Sequence, residues 1–422
     1  MLESAEGPQK LAQYSFIGFS PPKTIEAKNG NYTETTSGGT RKTVSLDDPL
    51  PLLREALAEN FTTYRGFRFV GGLVGYFSYD SVRYLETIPD ETHDDMKLPD
   101  FQFGVYDDGI VFDHTSGQAY YYWYNQNRLM EIEQLLAKKP EASNLVSGAL
   151  STNIRESEFV SMVKKAKHYI SSGDIFQVVL SKRFECYFKG DLIHFYETLR
   201  EINPSPYMYF LKMKDRAIVG SSPEMLGRVD GRRAETFPIA GTRPIGSSLK
   251  ETKRLASELL KDPKEQAEHI MLIDLARNDL GKVCKYGTVN VSEFMSVQKY
   301  SHVQHIVSRV EGELRPECDA LDTFRGIFPA GTVSGAPKKR AMEIIEELEP
   351  CRRGPYAGSV GYFSYNGNAD FAITIRTLIA NGNRAYIQAG AGIVADSKPN
   401  REWHETDHKA RALLQALRVG GP

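Results

Sequence analysis

Gly72-Leu-Val-Gly-Tyr-Phe-Ser-Tyr-Asp80 recurs near the other end of the chain as Gly358-Ser-Val-Gly-Tyr-Phe-Ser-Tyr-Asn366. Aromatic and β-branched residues set among small ones predict a strand in each copy, and coincidence is a poor account of a match that long. The copies read as the same strand in two halves of a duplicated unit. One composite, β-rich layered domain is therefore expected in place of unrelated modules. Around the first copy, to about Leu150, short runs such as Tyr14 to Phe19 and Gln118 to Tyr124 lie between Gly, Asp and Asn, the pattern of antiparallel strands. Leu50 to Glu59, after Pro49, reads as a short helix, and Lys138 to Thr152 as a polar connection. From Arg155 the composition shifts to longer helices between strands. Glu156 to Ser171 reads as a helix, and Gly173 to Ser181 runs into a buried strand whose polar exception is Gln177.

At 422 residues the chain can bury a large core, and a net charge of −2 creates no global field to recruit nucleic acid or a membrane surface. Cys186, Cys284, Cys318 and Cys351 lie far apart with no CxxC spacing, which argues against a zinc ribbon or a disulfide framework and favours a reducing, cytoplasmic setting. No apolar run approaches membrane-spanning length, and the N-terminus lacks a basic-then-apolar leader.

Two segments carry paired glutamates. In Asp262 to Lys282, Asp262 suits an N-cap, Pro263 the first helical position, Glu265 a capping box and Gly281 the stop. Glu265 and Glu268 then share a face, while Ile270, Met271, Leu272, Ile273 and Leu275 predict a helix with little solvated surface. Asn400 to Leu417 opens in the same way, with Asn400 as cap and Glu402 and Glu405 sharing a face before an apolar stripe. Should the two starts converge, four carboxylates occupy one small volume and call for a hard divalent cation such as Mg2+. Glu265 as a simple cap with Glu268 on the surface is the plainer alternative.

Other residues gain weight from that cluster. Tyr300 to Val310 alternates as a strand, placing His305 on a face with Val303, Val307 and Arg309, where it is an acid/base candidate only if the face opens on the glutamates. Pro329 to Pro337 is a small-residue loop before the helix Lys338 to Leu348, suited to an anion or to an ordinary turn. Asp370 to Ile379 reads as one strand, with Arg376 on the face of Ala372, Thr374 and Leu378 and in want of a carboxylate. Gln388 to Ile393 lets backbone approach a ligand closely. His404-Glu-Thr-Asp-His408 fits the HExxH pattern of zinc peptidases, but no third ligand is evident and Glu405 already belongs to the glutamate pairs.

Five strings carry a resemblance: PIAGTRP (Pro238 to Pro244), MLIDLARNDLGKV (Met271 to Val283), GTVSGAPK (Gly331 to Lys338), RRGPYAGSVGY (Arg352 to Tyr362) and QAGAGIVADS (Gln388 to Ser397). They resemble the chorismate-utilising enzymes, and within them the large subunits of anthranilate synthases, over nearly everything after Arg155. The resemblance implies an α/β fold of the α+β type, with large antiparallel sheets flanked by helices and an internal pseudo-duplication. It implies a regulatory, partner-facing region at 1–150 and a chorismate-binding region at 151–422, woven into one composite domain.

By the same resemblance, Glu268, Glu405 and Glu402 are the metal ligands for Mg2+, and Tyr356, Arg376, Gly390, Gly392 and Lys409 hold the enolpyruvyl carboxylate. Thr332 contacts the ring, while His305 and a partly protonated Glu265 are the acid/base pair. Ala240 stands where relatives of the p-aminobenzoate branch carry a nucleophilic lysine, and Gln177 where isochorismate-forming relatives carry a water-activating lysine, so ammonia is the expected nucleophile and anthranilate the expected product. The aminodeoxychorismate activity of that branch is the runner-up. No nucleophile-elbow cysteine with His and Glu partners is present, so a glutamine amidotransferase partner in a heterotetramer is implied. Leu2-Glu3-Ser4-Ala5 and Asn203-Pro-Ser-Pro-Tyr-Met208 resemble the family's tryptophan site, which would make Glu3, Ser4, Asn203, Pro206, Tyr207 and Met208 the inhibitor contacts.

Overall fold

In the computed structural model, residues 1–4, 13–138, 143–299 and 303–419 are described. Ala5, the tip of the connection after Lys138, and Tyr300 to His302 lie outside them.

The repeated motif forms the centre of the molecule. Gly72–Phe77 and Ser359–Ser364 are neighbouring antiparallel strands, and the register sets Gly75 opposite its own counterpart Gly361. A local two-fold axis therefore passes between these glycines. Their outer neighbours obey it too, Phe101–Tyr106 flanking one copy and Ala369–Ile373 the other. A Cβ on Gly75 would fall 2.0 Å from the Gln102 carbonyl oxygen, and one on Gly361 2.1 Å from that of Asp370.

Strand alternation then divides the side chains. Phe77 and its counterpart Phe363 point to one face, where Phe77 stacks on Phe324 with ring centroids 4.0 Å apart. Tyr76 and Tyr362 point to the other, packing with Tyr209, Leu211 and Ile218 of a second sheet. Each sheet contains twelve strands among the described residues, and each draws strands from both sides of residue 150. The outer face of the second sheet is covered by Leu192–Ile202 and Pro399–Val419, and that of the first by Ala320–Ile327 and part of Pro263–Gly281. The layers run helix, sheet, sheet, helix. Glu156–Ser171 and Lys338–Leu348 are helices with the expected limits, and the short early helix spans Pro51–Ala58. The four cysteines are unbridged. Among the described residues no helix is long and apolar enough to cross a membrane.

Three local expectations give way. Asp370 to Ile379 is two strands, Ala369–Ile373 in the first sheet and Thr377–Asn381 in the second, and the chain crosses between sheets at Thr374 to Arg376. Arg376 takes a left-handed φ of 52° there, so it shares no strand face with Ala372, Thr374 and Leu378. The helix Pro263–Gly281 is open on one side, with Ile270 45% exposed and Asp274, Arg277 and Asn278 in solvent, because it lies against a sheet edge. The last helix starts at Pro399, one residue before the expected Asn400 cap, and the Lys398 carbonyl accepts its first hydrogen bonds.

A side chain at the two-fold axis has nowhere to go but into a backbone carbonyl. Gly361→Ala is expected to cost at least ~2 kcal/mol in urea unfolding followed by circular dichroism. Gly281→Ala, where a Cβ meets nothing within 4 Å, serves as the near-neutral control.

Candidate functional site

Strands of both sheets line one open cleft of about 580 Å³, reached also by the two glutamate-bearing helices and the loop around Thr332. Of the residues singled out in the sequence for metal, substrate and proton transfer, all face it: Glu265, Glu268, Glu402, Glu405, His305, Thr332, Tyr356, Arg376, Gly390, Gly392, Lys409, Ala240 and Gln177.

The carboxylates arrive on two helix starts. Asp262 caps Pro263–Gly281 by accepting from the backbone N–H groups of Lys264 and Glu265. Glu265 closes no capping box; it pairs with Arg243 at 3.0 Å, which also holds Asp262 at 2.9 Å. Gly241, at φ 66°, leaves room for this, since a Cβ there would lie 2.8 Å from Glu265 Oε2. Burial and the neighbouring Glu265 push Glu268 above the usual carboxylate range, Lys264 and Lys409 oppose the rise, and Glu405 adds to it. Glu402 is pushed up by burial and by Glu405, with the Ser397 hydroxyl acting in the opposite sense. The helix starts therefore converge closely enough for Glu268 and Glu405 to sense one another across the cleft. Lys409 is the cation among them, 2.8 Å from Glu405 and donating to the Gly390 carbonyl at 2.9 Å.

The basic side is built by the sheet crossing. Arg376 has its carbonyl bound by the Ser221 N–H at 3.0 Å, and its half-buried guanidinium lines the cleft with no ion pair among the described residues. Gly390 and Gly392 sit within the strand ladder opposite Ser181 and Val179. Their contribution is room: a Cβ on Gly390 would lie 2.6 Å from Tyr356 Oη, and one on Gly392 2.9 Å from Gln177 Nε2. The Gln177 side-chain oxygen is buried without a partner among the described residues. His408 lines the cleft, whereas His404 of the HExxH match is mostly exposed beside Asp407.

Two proton carriers face this space. His305 Nδ1 lies 2.7 Å from the Gly241 carbonyl oxygen; a carbonyl only accepts, so Nδ1 carries hydrogen and Nε2 the lone pair of the neutral ring. Burial lowers its proton affinity, the Gly241 bond opposes this, and Arg376 lowers it further. Glu224 was missed in the sequence. It is fully buried in the cleft wall, and burial pushes its carboxyl up to about 7 against the opposing influence of Thr332 and Lys409. The available signal was its isolation, as the sole charged residue between Arg216 and Arg228 in an apolar, small-residue run.

The segments of the expected inhibitor site also meet. Leu2–Glu3 pairs with Tyr207–Met213, setting Glu3 opposite Met208, and Glu3 accepts from Tyr196 Oη at 2.7 Å and from Arg200 at 2.9 Å. Ser4 adjoins this strand, Met208 and Pro206 are buried, and Tyr207 Oη donates to Asp370 at 3.0 Å. Asn203 donates to Ser221 Oγ at 3.1 Å, and it is the backbone N–H of Ser221 that binds Arg376.

A cleft with crowded carboxylates, a guanidinium unpaired among the described residues and a buried carboxyl of raised proton affinity defines an enzyme for a small, multiply anionic substrate. The chain belongs to the chorismate binding enzyme family, whose pattern matches residues 1–415. It is 49% identical over 423 residues to anthranilate synthase component 1 of Methanothermobacter thermautotrophicus, covering 100% of this chain and 89% of that one. It is 42% identical over 435 residues to aminodeoxychorismate synthase component 1 of Bacillus subtilis, covering 99% and 91%. The crystal structure of anthranilate synthase component I from Streptococcus pneumoniae TIGR4 superposes with a TM-score of 0.87 at 37% identity, over 97% of this chain and 93% of that one.

Glu224 ties stability to pH. Its folded proton affinity is raised, so its favourable contribution is complete below the unfolded carboxyl range and is lost as pH rises through about 7. Glu224→Gln lacks this loss and is expected to gain roughly 3 kcal/mol on the parent between pH 4 and pH 8, read from urea midpoints across that range.

Proposed function

We propose that this chain is the synthase subunit of an anthranilate synthase, converting chorismate and ammonia to anthranilate and pyruvate. The observation that carries the reading is Arg376, a half-buried guanidinium without an ion pair among the described residues, in the same cleft as the carboxylates of Glu268, Glu402 and Glu405. A dicarboxylate substrate satisfies both ends, one carboxylate on Arg376 and the other on a cation that the glutamates hold. The relatives at 49% and 37% identity named for anthranilate synthase support the choice of reaction.

The donor set fits magnesium. Among the described residues no three His, Cys, Asp or Glu groups form a ready ligand cage. Magnesium needs none, since it commonly takes one or two protein carboxylates and leaves the other positions to water and substrate. Glu268 and Glu405 would hold it with Glu402 alongside, and their mutual crowding is what a divalent cation relieves. Bound there, the ion supplies positive charge to the ring carboxylate.

The chain's own groups divide the proton work. Ammonia bonds to ring carbon 2 as the carbon 4 hydroxyl leaves, and Glu224, protonated near neutrality, gives that hydroxyl the proton with which it departs as water. Arg243 beside Glu265 argues against Glu265 in this role. The ring then becomes aromatic by losing the hydrogen on the nitrogen-bearing carbon. His305, neutral with its lone pair on Nε2, takes that proton as the enolpyruvyl C–O bond breaks. Thr332 and Tyr356 flank the ring and its side arm, and the small Ala240 offers no amine for a covalent route. Ammonia comes from a glutaminase partner, the second component with which such subunits assemble, and tryptophan binds at Glu3, Ser4 and Asn203 to Met208.

The test is turnover of chorismate by the purified chain with magnesium and an ammonium salt. Anthranilate with equimolar pyruvate is expected; aminodeoxychorismate without pyruvate would overturn the assignment in favour of the p-aminobenzoate branch. Glu268→Gln is expected to lower kcat/KM at least ~100-fold, and Glu224→Gln to do so through kcat. Ser4→Ala and Met208→Thr are each expected to abolish inhibition by added tryptophan while leaving turnover in its absence intact.

A further inference from the structure

Arg353 is among the largest fully buried side chains of the protein, and no step above uses it. Its guanidinium meets Glu349 through two bonds, Nε to Oε2 at 2.9 Å and Nη2 to Oε1 at 2.7 Å. The remaining donors leave the ion pair. Nη1 donates to the Val333 carbonyl at 2.7 Å and Nη2 to the Val179 carbonyl at 2.7 Å, while Cζ lies 4.8 Å from the Tyr79 ring centroid and 5.6 Å from that of Tyr356. Val333 follows Thr332, and Val179 and Tyr356 are themselves cleft walls. One side chain thus touches three separate segments that surround the substrate space.

The network reaches a fourth wall. Glu349 Oε1 accepts from both the backbone N–H and the hydroxyl of Ser181, each at 2.8 Å. The single hydroxyl hydrogen of Ser181 is thereby used, so Ser181 Oγ can only accept from Gln388, 2.8 Å away. This fixes the Gln388 amide with its nitrogen toward Ser181 and leaves its side-chain oxygen, buried and without a partner among the described residues, as an acceptor in a residue that lines the cleft.

We propose that Arg353 is a positioning residue for chorismate: it ties the Thr332 loop, the Val179 strand and the Tyr356 ring to one rigid point and, through Glu349 and Ser181, sets the orientation of Gln388. This rests on the chorismate reading given above. The planar fork makes four bonds at once, two to the Glu349 carboxylate and one to each carbonyl; a lysine ammonium, with three donors on a single nitrogen, cannot reproduce that set. A buried guanidinium needs all its N–H donors satisfied, and here the acceptors beyond Glu349 are the walls of the cleft itself. The bonds to Val333 and Val179 are what a positioning role adds.

Two variants separate the roles. Arg353→Met combined with Glu349→Gln removes the fork without leaving a buried charge, and Arg353→Lys keeps the charge without the fork. Melting temperature is measured for each, with KM and kcat determined separately for chorismate and for ammonium. The double variant is expected to melt close to the parent yet show a KM for chorismate raised roughly ten-fold or more, with KM for ammonium within about two-fold, because loosened walls misplace the larger substrate. Should the double variant not fold, Arg353→Lys gives the same reading. Parental chorismate KM and kcat in either folded variant would overturn the proposal. A parent chain that fails to consume chorismate overturns the functional reading together with this one, whereas a competent parent with variants that match it overturns this one alone.

Discussion

Two backbones too close to admit a side chain between strands set the frame of this molecule. Gly75 and Gly361 face one another across the local two-fold axis, and the strands on either side press their carbonyls into the space a methyl group would take. That closeness lets Phe77 and Phe363 join one apolar cluster and Tyr76 and Tyr362 another, so the same pair of strands fastens a helix layer on one face and the second sheet on the other. The sheets are thereby held at a fixed spacing, and the chain that crosses between them at Thr374 to Arg376 delivers its guanidinium into the cleft.

Within the cleft, electrostatics decides what can bind. The protein brings Glu268, Glu402 and Glu405 together and provides Lys409 among them, which leaves net negative charge on that side. On the other side the Arg376 guanidinium is half-buried, with no counter-charge among the described residues. Neither arrangement is favourable by itself, since a buried charge lacking a partner carries a desolvation cost. A substrate with two carboxylates, and a cation between one of them and the glutamates, would resolve both. Glu224, buried in the cleft wall, stays protonated into the neutral range for a different reason, namely burial.

Much of this was legible in the chain. The duplicated nonapeptide foretold strands of equal standing, and they proved to be direct partners. Asp262 and Pro263 marked a helix start that the structure has, and the glutamate spacing foretold a shared cleft. Periodicity failed where two explanations give one pattern. Alternation from Asp370 to Ile379 is as regular for two consecutive strands in different sheets as for one, so the crossing at Arg376 was invisible. Apolar residues around Ile270 suggested full burial, yet one side of that helix meets water because the sheet beneath it ends. Glu224 was overlooked because a lone carboxylate after Ser222 and Pro223 looks like a turn; only its depth reveals a proton donor.

Arg376 shows what such a site asks of the backbone. A residue with a Cβ held at positive φ carries strain of about 1 to 3 kcal/mol, and glycine would relieve it. Selection for a firmer fold and selection for turnover therefore pull this position in opposite directions. The replacement that would most ease the chain at the sheet crossing is the one that would empty the cleft of its guanidinium.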